Sequence, residues 1–349
     1  MVTLSPWWSP ERHADRRPFL IARNQIKAAF RHYFEAEGFT EVECAALQVS
    51  PGNETHLHAF ATDATKNDGS TTRYFLHTSP EFASKKLLAA GERKIFDFSR
   101  VFRNRETALI NVPEFTMLEW YRAHQTYDAI ILDCAHILSL AAKIAGTKLF
   151  RYKQHTLAAQ IAPQRLSVAE AFARFAKIDL LATLSADGSN RAQLASQARS
   201  VGIGFTEDDN WSDIFSRILA ERVEPNLGFD APTILDEYPA VEAALARRCV
   251  HDPRVAERFE LYVLGVELAN GFGELTDPVE QRTRFEYQMN EKQRIYGERY
   301  PIDEDLLSAL ALMPPASGVA LGFDRLVMLV TGAPHIEQVM WTPPAGRTR

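Results

Sequence analysis

The sequence has few cysteines, no signal peptide and no apolar run long enough to span a membrane. Its three cysteines, Cys44, Cys134 and Cys249, stand far apart, and no Cys-x-x-Cys pair occurs. An odd number of isolated cysteines fits a reducing compartment and argues against a disulfide framework or a structural zinc site. The longest apolar stretch, residues 130–146, contains two charged residues. We therefore expect a cytoplasmic protein without a membrane partner.

A positive charge balance is also absent. The 39 lysines and arginines are outnumbered by 45 aspartates and glutamates, so the 349-residue chain has a net charge of -6. Because phosphate neutralisation supplies much of the affinity for nucleic acids, we expect no stable nucleic-acid partner. There is no GxxxxGK[ST] loop, no GxGxxG after a strand and no GxSxG elbow. A P-loop ATPase, a Rossmann enzyme and an α/β-hydrolase are therefore unsupported.

Helical patterns occupy separate parts of the chain. An amphipathic helix is predicted over residues 18–37, and Ser79 followed by Pro80 predicts the N-cap and first residue of a second helix. A further helix is predicted over residues 278–296. Residues from about 155 to 225 are predicted as an inserted helical subdomain.

Strand patterns flank the helical insertion on both sides. Aromatic-rich alternation predicts strands in residues 94–104 and 112–124, and the pattern resumes in residues 258–264 and 266–272. Strands at both ends with helices between them indicate an α+β fold with an antiparallel sheet, not an alternating parallel one. We expect a single domain over residues 1–349 in which helices flank this sheet.

The first candidate functional segment is FRNRETALINVPEFTMLEWYR. By the period of two, Phe115, Met117, Glu119 and Tyr121 share one face of a strand. An aromatic ring, a carboxylate and a phenol on one sheet face make a platform for a base and an amine. The alternative is an ordinary sheet in which the aromatic residues are core and Glu119 is paired with an arginine.

The second candidate segment is GVALGFDRLVML. Arg325 stands in the first turn of a predicted helix, after Gly318 and Gly322, where the helix dipole disfavours a cation. A bound anion, such as a phosphate, explains an arginine at this place. The alternative is an exposed arginine paired with Asp324.

The third candidate segment is the hairpin RFELYVLGVELANGFGEL. Glu260 and Glu267 lie on adjacent predicted strands, where they can approach each other. Two close carboxylates repel unless a cation lies between them, and Mg²⁺ with nucleotide phosphates is the usual guest. The alternative is two solvated glutamates on an edge strand. His56 and His58 are interpreted as structural, because no third metal ligand stands near them.

In chain order, three segments resemble the signature motifs of class II aminoacyl-tRNA synthetases. GFTEVE resembles motif 1, VFRNRE to PEFTMLEWY resembles motif 2, and GVALGFDRL resembles motif 3. The segments SPEFASKKLL and ELANGFGELTD resemble the lysyl branch. Motif 1 lies within about 40 residues of Met1, so we expect no N-terminal OB-fold domain. The chain resembles the stand-alone paralogues of this branch, the elongation factor P–lysine ligases.

This resemblance implies an ATP-dependent, AMP-forming ligase of the class II type. Such an enzyme activates lysine or β-lysine as an aminoacyl-adenylate and transfers it to a lysine side chain of elongation factor P. The resemblance also implies Mg²⁺ and a homodimer. Two alternatives stay open: a truncated synthetase that acts on tRNA or makes adenylate only, and a non-catalytic paralogue that binds the amino acid or nucleotide as a sensor.

The resemblance also implies the roles of individual residues. Arg103 would bind the α-phosphate and Arg325 the γ-phosphate, and both would be catalytic. The remaining ATP-binding residues that it implies are Asn104, Glu106, Asn111, Phe115, Glu260 and Gly322, with Phe115 stacked on adenine and Mg²⁺ near Glu260 and Glu267. The implied amino-acid site consists of Ser79, Glu81, Glu119, Tyr121, Asn270, Glu274 and Ala320. Its three glutamates would face the two ammonium groups of a diamino acid.

Several positions depart from the family pattern. The motif 1 proline is absent near Ala45, and Arg105 replaces the acid two residues after Arg103. Asn111 and Val112 stand where the motif 2 loop has a histidine and its neighbour. Ala320 replaces a glycine of motif 3. Its methyl group would crowd an α-amino group and favour an amine placed elsewhere, as in β-lysine.

Overall fold

The structure, a computed structural model, describes residues 6–186 and 188–344. The two ends of the predicted domain, residues 1–5 and 345–349, lie outside the described residues. The α-helices in chain order are α1 Pro10–Ala36, α2 Glu81–Ala89, α3 Tyr127–Ile144, α4 Val168–Ala171, α5 Arg191–Ser200, α6 Trp211–Ile218, α7 Pro278–Tyr296, α8 Glu304–Leu310 and α9 Phe323–Thr331.

The strands lie before, between and after these helices. In chain order they are β1 Thr40–Glu41, β2 Leu47–Gln48, β3 Phe60–Thr65, β4 Thr71–Leu76, β5 Lys94–Phe102, β6 Glu114–Ala123, β7 Leu149–Tyr152, β8 His155–Ala158, β9 Gln164–Ser167, β10 Leu184–Ser185, β11 Gly188–Ser189, β12 Thr233–Pro239, β13 Val255–Val263, β14 Val266–Gly273 and β15 Ala316–Gly322.

One large sheet organises the molecule. Its eight strands lie in the order β1-β5-β6-β15-β14-β13-β12-β9. The strands from β5 to β12 pair antiparallel, and the short edge strands β1 and β9 pair parallel with their neighbours. The predicted α+β class with an antiparallel sheet flanked by helices is therefore confirmed. Smaller sheets are β2-β4-β3, β7-β8 and β10-β11.

Alternation along the strands sends side chains to two different sides of the sheet. Leu118, Trp120, Val319 and Leu321 pack on one side in a core shared with α1, α3 and α9. The residues between them point to the other side, where Tyr121 packs with residues of α2, α7 and α8. This second side is the one that carries the candidate site.

The helical residues of the predicted insertion begin at α4. Residues 155–167 form the strands β8 and β9 with a turn between them, and β9 joins the main sheet. Residues 168–227 bury a core around stacked Phe172, Phe215 and Trp211, and this core also includes Leu235, Tyr238 and Tyr262 of the main sheet. Two short π-helical turns, Phe172–Ala176 and Leu219–Val223, end the helices on either side of this core. Within residues 6–186 and 188–344, no helix combines the length and apolarity that crossing a bilayer requires.

The helix predictions differ in accuracy at their starts. The prediction over residues 278–296 is confirmed for α7, because the Asp277 side chain accepts hydrogen bonds from two first-turn N–H groups and Gly297 adopts a left-handed conformation (φ 68°) at the end. The predicted start at residue 18 is wrong. α1 begins at Pro10, where Ser9 accepts a hydrogen bond from the backbone of Arg12 (3.4 Å), and it continues through Pro18.

Ser79 was predicted as the N-cap of α2, and this is also wrong. Pro80 occupies the cap position, and the helix begins at Glu81. The Ser79 hydroxyl accepts a hydrogen bond from the Glu81 backbone (3.0 Å) and donates one to Glu119 (2.6 Å). Ser79 therefore connects the start of α2 to Glu119 on β6.

Candidate active site

A cavity opens on the second side of the sheet, where β6, β15 and β14 lie side by side. Antiparallel pairing places Ala320 opposite Glu119 on one neighbouring strand and opposite Asn270 on the other. Directly opposed residues of antiparallel strands point to the same face, so these three side chains form one row across the sheet. Phe115 and Met117 line the same cavity, and the predicted shared face of residues 115–121 is confirmed.

A β-bulge in β14 brings a second carboxylate to this face. Asn270 is opposite Glu260, whereas Glu267 is opposite Tyr262, so Leu268 is the extra residue between the two pairs. Glu260 and Tyr262 are two residues apart on β13, so their side chains point to one face of the sheet. Their partners on β14, Asn270 and Glu267, point to that same face because of the bulge. The bulge is the reason that Glu260 and Glu267, which differ in sequence parity, share one face.

Glu119 lies buried at one end of the cavity. Its Oε1 accepts a hydrogen bond from Ser79 Oγ (2.6 Å) and its Oε2 accepts one from Tyr121 OH (2.7 Å). Burial and the nearby Glu81 carboxylate raise the pKa of Glu119 to about 8, although the two hydrogen bonds oppose the rise. Its partners are hydroxyl groups, so the alternative in which Glu119 pairs with an arginine is wrong.

Lys85 joins two of the predicted carboxylates. Its Nζ lies 2.7 Å from Oε1 of Glu81 and 2.7 Å from Oε2 of Glu274, and its side chain is 0% exposed. Burial alone would lower the pKa of Lys85, but Glu274 and Glu81 raise it to about 12. The three glutamates and this one lysine leave two negative charges when all are ionised, which complements a ligand with two ammonium groups.

Two buried acceptors at this end have no donor. Asn270 Oδ1 and Glu274 Oε1 are buried and have no hydrogen-bond partner within the described part of the chain. An unpaired buried acceptor is costly, so an ammonium donor from a ligand would stabilise this arrangement. Gly318 lets these groups converge, because a Cβ atom there would collide with the ring of Tyr121 and with the Glu274 carboxylate.

Arg103 also lines the cavity. Its Nε donates a hydrogen bond to the carbonyl of Thr78 (3.2 Å), and its guanidinium carbon lies 5.5 Å from the centre of the Phe115 ring. Among the described residues, no carboxylate forms an ion pair with Arg103. Its remaining N–H groups are therefore available to an anion beside an aromatic face.

Arg325 lines the cavity and is held by backbone and amide groups. Its Nη1 donates to the carbonyl of Glu267 (2.7 Å), and its Nη2 donates to Oδ1 of Asn111 (3.2 Å). Asp324 pairs instead with Arg23 and accepts a hydrogen bond from the backbone of Thr116 (2.8 Å). The alternative in which Arg325 pairs with Asp324 is therefore wrong.

The departure at Arg105 has a clear structural consequence. Arg105 has a positive φ of 66°, and its side chain turns away from the cavity to pair with Glu298 and lie 5.5 Å from the Tyr296 ring centre. The next residue, Glu106, lines the cavity and accepts a hydrogen bond from Asn111. With Arg105 in a left-handed conformation, the acid of this segment that reaches the cavity is Glu106, one residue later than in the family pattern.

Glu267 lines the cavity, whereas Glu260 does not. Glu260 accepts hydrogen bonds from Arg258 Nη2 (2.8 Å) and Tyr262 OH (2.6 Å). Burial and the neighbouring Glu260 carboxylate raise the pKa of Glu267 well above its usual range, although Arg325 opposes this. Two adjacent carboxylates that repel each other are a donor set that fits a hard divalent cation.

Most of the predicted residues meet in this cavity. Those that line it are Ser79, Glu81, Arg103, Glu106, Asn111, Phe115, Glu267, Asn270, Ala320, Gly322 and Arg325. Glu119, Tyr121 and Glu274 stand behind this lining, joined to it through Ser79, Gly318 and Lys85. Asn104 lies outside the lining, and its backbone N–H donates to the carbonyl of His58 (2.7 Å).

Sequence reasoning missed two charged residues of the site. Lys85 had a signal, since it follows Glu81 by four residues on a helix and such pairs lie on one helix face. Glu54 had none, because it lies in the connection between β2 and β3 and reaches the cavity only through the tertiary fold.

The two histidines interpreted as structural have separate partners. His56 Nδ1 lies 2.9 Å from Tyr296 OH, and His58 Nδ1 lies 3.0 Å from Glu298 Oε2. The structural interpretation is confirmed, because the two rings are fixed by different residues of the segment after α7 and its last turn.

A group of possible metal ligands that the sequence did not predict lies away from the cavity. One ligand atom each from Glu237, Cys249 and His251 falls within 4.8 Å of the others. His251 Nε2 is 3.1 Å from Glu237 Oε1, and burial raises the pKa of Cys249 to about 12. A protonated thiol is a poor metal ligand, so this geometry favours an ion pair beside a buried thiol.

Comparison with known proteins agrees with the motifs and the fold. The chain matches the family of class II tRNA synthetases (D, K and N) over residues 8–345. It is 38% identical over 323 residues to the elongation factor P–(R)-β-lysine ligase of Haemophilus ducreyi, covering 92% of each chain. It is 39% identical over 328 residues to the enzyme of that name from Pectobacterium atrosepticum, covering 92% of this chain and 93% of the relative. The chain therefore belongs to the class II tRNA synthetase family (D, K and N), in the branch that contains the elongation factor P–(R)-β-lysine ligases.

Proposed function

We propose that this protein activates (R)-β-lysine with ATP as an aminoacyl-adenylate and transfers it to a lysine side chain of elongation factor P. The observation that carries the proposal is that acidic and basic groups meet at one cavity. Glu81, joined through Lys85 to the buried Glu274, lines the cavity together with Arg103 and Arg325. The two most informative relatives carry this activity in their names.

The acidic groups suit a diamino acid. Glu119, Glu81 and Glu274 supply carboxylates, and Asn270 Oδ1 is an acceptor without a donor among the described residues. Ala320 lies in the same row, between Glu119 and Asn270. Its methyl group occupies space that an α-amino group would need, so it supports β-lysine over α-lysine.

The basic groups suit a nucleoside triphosphate, and membership of the class II family implies the use of ATP. Arg103 would contact the α-phosphate and Arg325 the γ-phosphate, with adenine on Phe115. Glu106 and Asn111 would contribute to the same subsite, next to Gly322. Glu267, with Glu260 behind it, would hold Mg²⁺, whose chemical contribution is to neutralise phosphate charge.

The chemistry of adenylation needs positioning more than proton transfer. The amino-acid carboxylate attacks the α-phosphorus, the bond to the β-phosphate oxygen breaks, and pyrophosphate leaves. Since a carboxylate is already ionised at neutral pH, no general base is required. Arg103 and Arg325 would stabilise the negative charge that the phosphate oxygens gain in the transition state.

The test offers two acceptors to the purified protein in separate reactions. Radiolabelled (R)-β-lysine, ATP and Mg²⁺ are supplied with elongation factor P in one tube and with bulk tRNA in the other, and a parallel pair contains α-lysine. We expect label on the protein factor alone, and more from (R)-β-lysine. Charging of tRNA would favour a truncated synthetase, and label on neither, without ATP–pyrophosphate exchange, would favour a sensor.

A further inference from the structure

Glu54 is a carboxylate of the cavity to which neither the family motifs nor the proposed function gives a role. It lies in the connection between β2 and β3 and lines the cavity together with Ser79, Glu81 and Arg103. Its neighbours Asn53 and Thr55 are 2% and 6% exposed, so the chain buries both of them while Glu54 faces the open space.

The segment that carries Glu54 is firmly held. The buried Nζ of Lys292 on α7 donates hydrogen bonds to the carbonyls of Thr55 (2.9 Å) and Leu57 (2.6 Å). Thr55 Oγ1 donates to the carbonyl of Gln288 (3.1 Å), and Asn53 Nδ2 donates to the carbonyl of Pro301 (3.2 Å). These bonds on both sides of Glu54 anchor its segment to α7 and to the chain that follows α7, which supports the position of its carboxylate in the cavity.

The other carboxylates that line the cavity already have partners. Glu81 pairs with Lys85, Glu106 accepts from Asn111, Glu267 faces Arg325 at 3.8 Å, and Asp324 pairs with Arg23. Within residues 6–186 and 188–344, no hydrogen bond or ion pair holds the Glu54 side chain. Its oxygens are therefore the ones free to take a proton from a molecule in the cavity.

Glu54 shares the cavity lining with residues of both proposed subsites, Arg103 and Glu81. The groups that act on it are Arg103, Glu81, Arg258 and Lys292. Arg103 belongs to the proposed phosphate end and Glu81 to the proposed amino-acid end, and an aminoacyl-adenylate joins these two ends at its reactive carbonyl. Burial and Glu81 raise the pKa of Glu54 above its usual range, against the pull of Arg103, and this improves a carboxylate as a base.

The second half of the proposed reaction needs such a base. A lysine side chain has an ordinary pKa near 10.4, so the acceptor amine is mostly protonated at neutral pH and cannot attack. In the transfer, the amine nitrogen forms a bond to the adenylate carbonyl carbon, the bond from that carbon to the phosphate oxygen breaks, and AMP leaves with the electron pair. The ammonium gives up two protons in total, one before the attack and one after it.

We propose that Glu54 is the general base of the transfer step and accepts the proton that the acceptor lysine must lose before its nitrogen can attack the adenylate. The other proton goes to solvent. This inference rests on the proposed function and adds a residue to its second half-reaction. It differs from a role in amino-acid binding, because Glu54 would leave adenylation unaffected.

The test separates the two half-reactions in Glu54→Gln, with the exposed Glu92→Gln as a matched control. We expect ATP–pyrophosphate exchange within about twofold of the parent, which also shows that the variant is folded, and transfer to elongation factor P slower by about 10²–10⁴-fold. Transfer to hydroxylamine, whose nitrogen is unprotonated at neutral pH, should stay near the parent rate. Raising the pH should restore transfer by the variant more than transfer by the parent.

Two results would overturn the inference while leaving the proposed function intact. Transfer by Glu54→Gln at the parent rate would show that no proton passes to this residue. Equal losses in exchange and transfer would make Glu54 an amino-acid-binding residue. In that case Glu54→Asp would also lower the rates of exchange and of transfer by the same factor. Failure of the parent itself to exchange pyrophosphate or to label elongation factor P would instead overturn the proposed function.

Discussion

At the scale of the residue, position in the sheet register decides which atoms meet a ligand. Glu119, Ala320 and Asn270 come from three strands that are far apart in sequence, yet pairing places them in one row. Removing the methyl group of Ala320 would therefore change the space between the Glu119 carboxylate and the Asn270 amide. The surroundings of Glu119 thus include Ala320 and Asn270, which lie far from it in the sequence.

Ala320→Gly tests how this row discriminates between amino acids. The substitution removes the methyl group between Glu119 and Asn270, and the space gained is where an α-amino group would sit. We expect the use of α-lysine to rise relative to (R)-β-lysine by about 10-fold or more, within the roughly 1–3 kcal/mol that one methylene-sized difference supplies. Competition between the two amino acids in pyrophosphate exchange measures the ratio, and an unchanged ratio would mean that Ala320 does not contact the substrate.

Glu119→Gln tests the raised pKa of a buried carboxyl. The folded protein holds a proton on Glu119 up to a pKa of about 8, whereas the unfolded chain releases it near pH 4.3. The folded state therefore binds more protons in between, and this contribution to stability is lost as the pH rises from about 4.5 through 8. Glutamine does not titrate, so we expect the variant to gain at least about 2 kcal/mol relative to the parent between pH 5 and pH 9.

Urea unfolding of both proteins at pH 5, 7 and 9 measures this difference. The lost hydrogen bond to Ser79 or Tyr121 lowers the stability of the variant by a similar amount at each pH, so only the trend is diagnostic. A difference that stays constant across the range would show that Glu119 titrates normally.

At the scale of the element, the site depends on irregular features and on one buried cross-link. The bulge at Leu268 in β14 turns Glu267 to the face that carries Asn270. Arg105, with its positive φ, turns the chain after β5 so that Glu106 enters the cavity. Lys85 pairs with Glu81 on its own helix and ties α2 to the end of β14 through Glu274, the residue that follows the strand. The two backbone irregularities and the lysine each place an acid that the strand and helix patterns alone would misplace or leave unpaired.

Lys85→Met tests the cross-link between α2 and β14. Removing a 0% exposed ammonium leaves Glu81 and Glu274 without their common partner, so we expect a loss of about 3–5 kcal/mol in unfolding free energy. Adding Glu274→Gln to this variant should recover part of the loss, since it removes one of the two uncompensated charges. Urea denaturation of the parent, single and double variants measures both effects, and equal stability of single variant and parent would contradict the buried ion pair.

At the scale of the whole molecule, the net charge is negative although two arginines line the cavity. The chain carries a net charge of -6, yet Arg103 and Arg325 both line the cavity, and within the described residues Arg103 forms no ion pair with a carboxylate. Overall negative charge disfavours a long polyanion such as tRNA, while the local pair of arginines still attracts a triphosphate. This contrast fits a small-molecule activating site combined with a protein acceptor.

The resemblance to class II synthetases also predicts a homodimer. Its interface is expected in the segment around motif 1, GFTEVE. We expect sedimentation velocity at micromolar concentration to give a mass about twice the 39.3 kDa of one chain, because motif 1 in this family forms a subunit interface. The absent proline near Ala45 lies in this segment. A single species with the mass of one chain at all concentrations would contradict the prediction.

The amino-acid sequence by itself determined the elements and the faces of the site. The period of two in residues 115–121 was enough to place Glu119 and Tyr121 on one face, and the pattern of residues 278–296 was enough to place α7. These features rest on interactions between residues close in the chain, such as caps and side-chain alternation. Family motifs added the identity of most cavity residues, because their order and spacing reflect one fold.

Only the tertiary structure decided which of these groups are free and which are already paired. It brought Glu274 to Lys85, set Ala320 between Glu119 and Asn270, and brought Glu54 into the cavity from a connection without any motif. The physical reason is that pairing and burial depend on strand register, on bulges and on loops anchored to distant helices. These set distances between residues tens or hundreds of positions apart, and no local pattern in the chain encodes them.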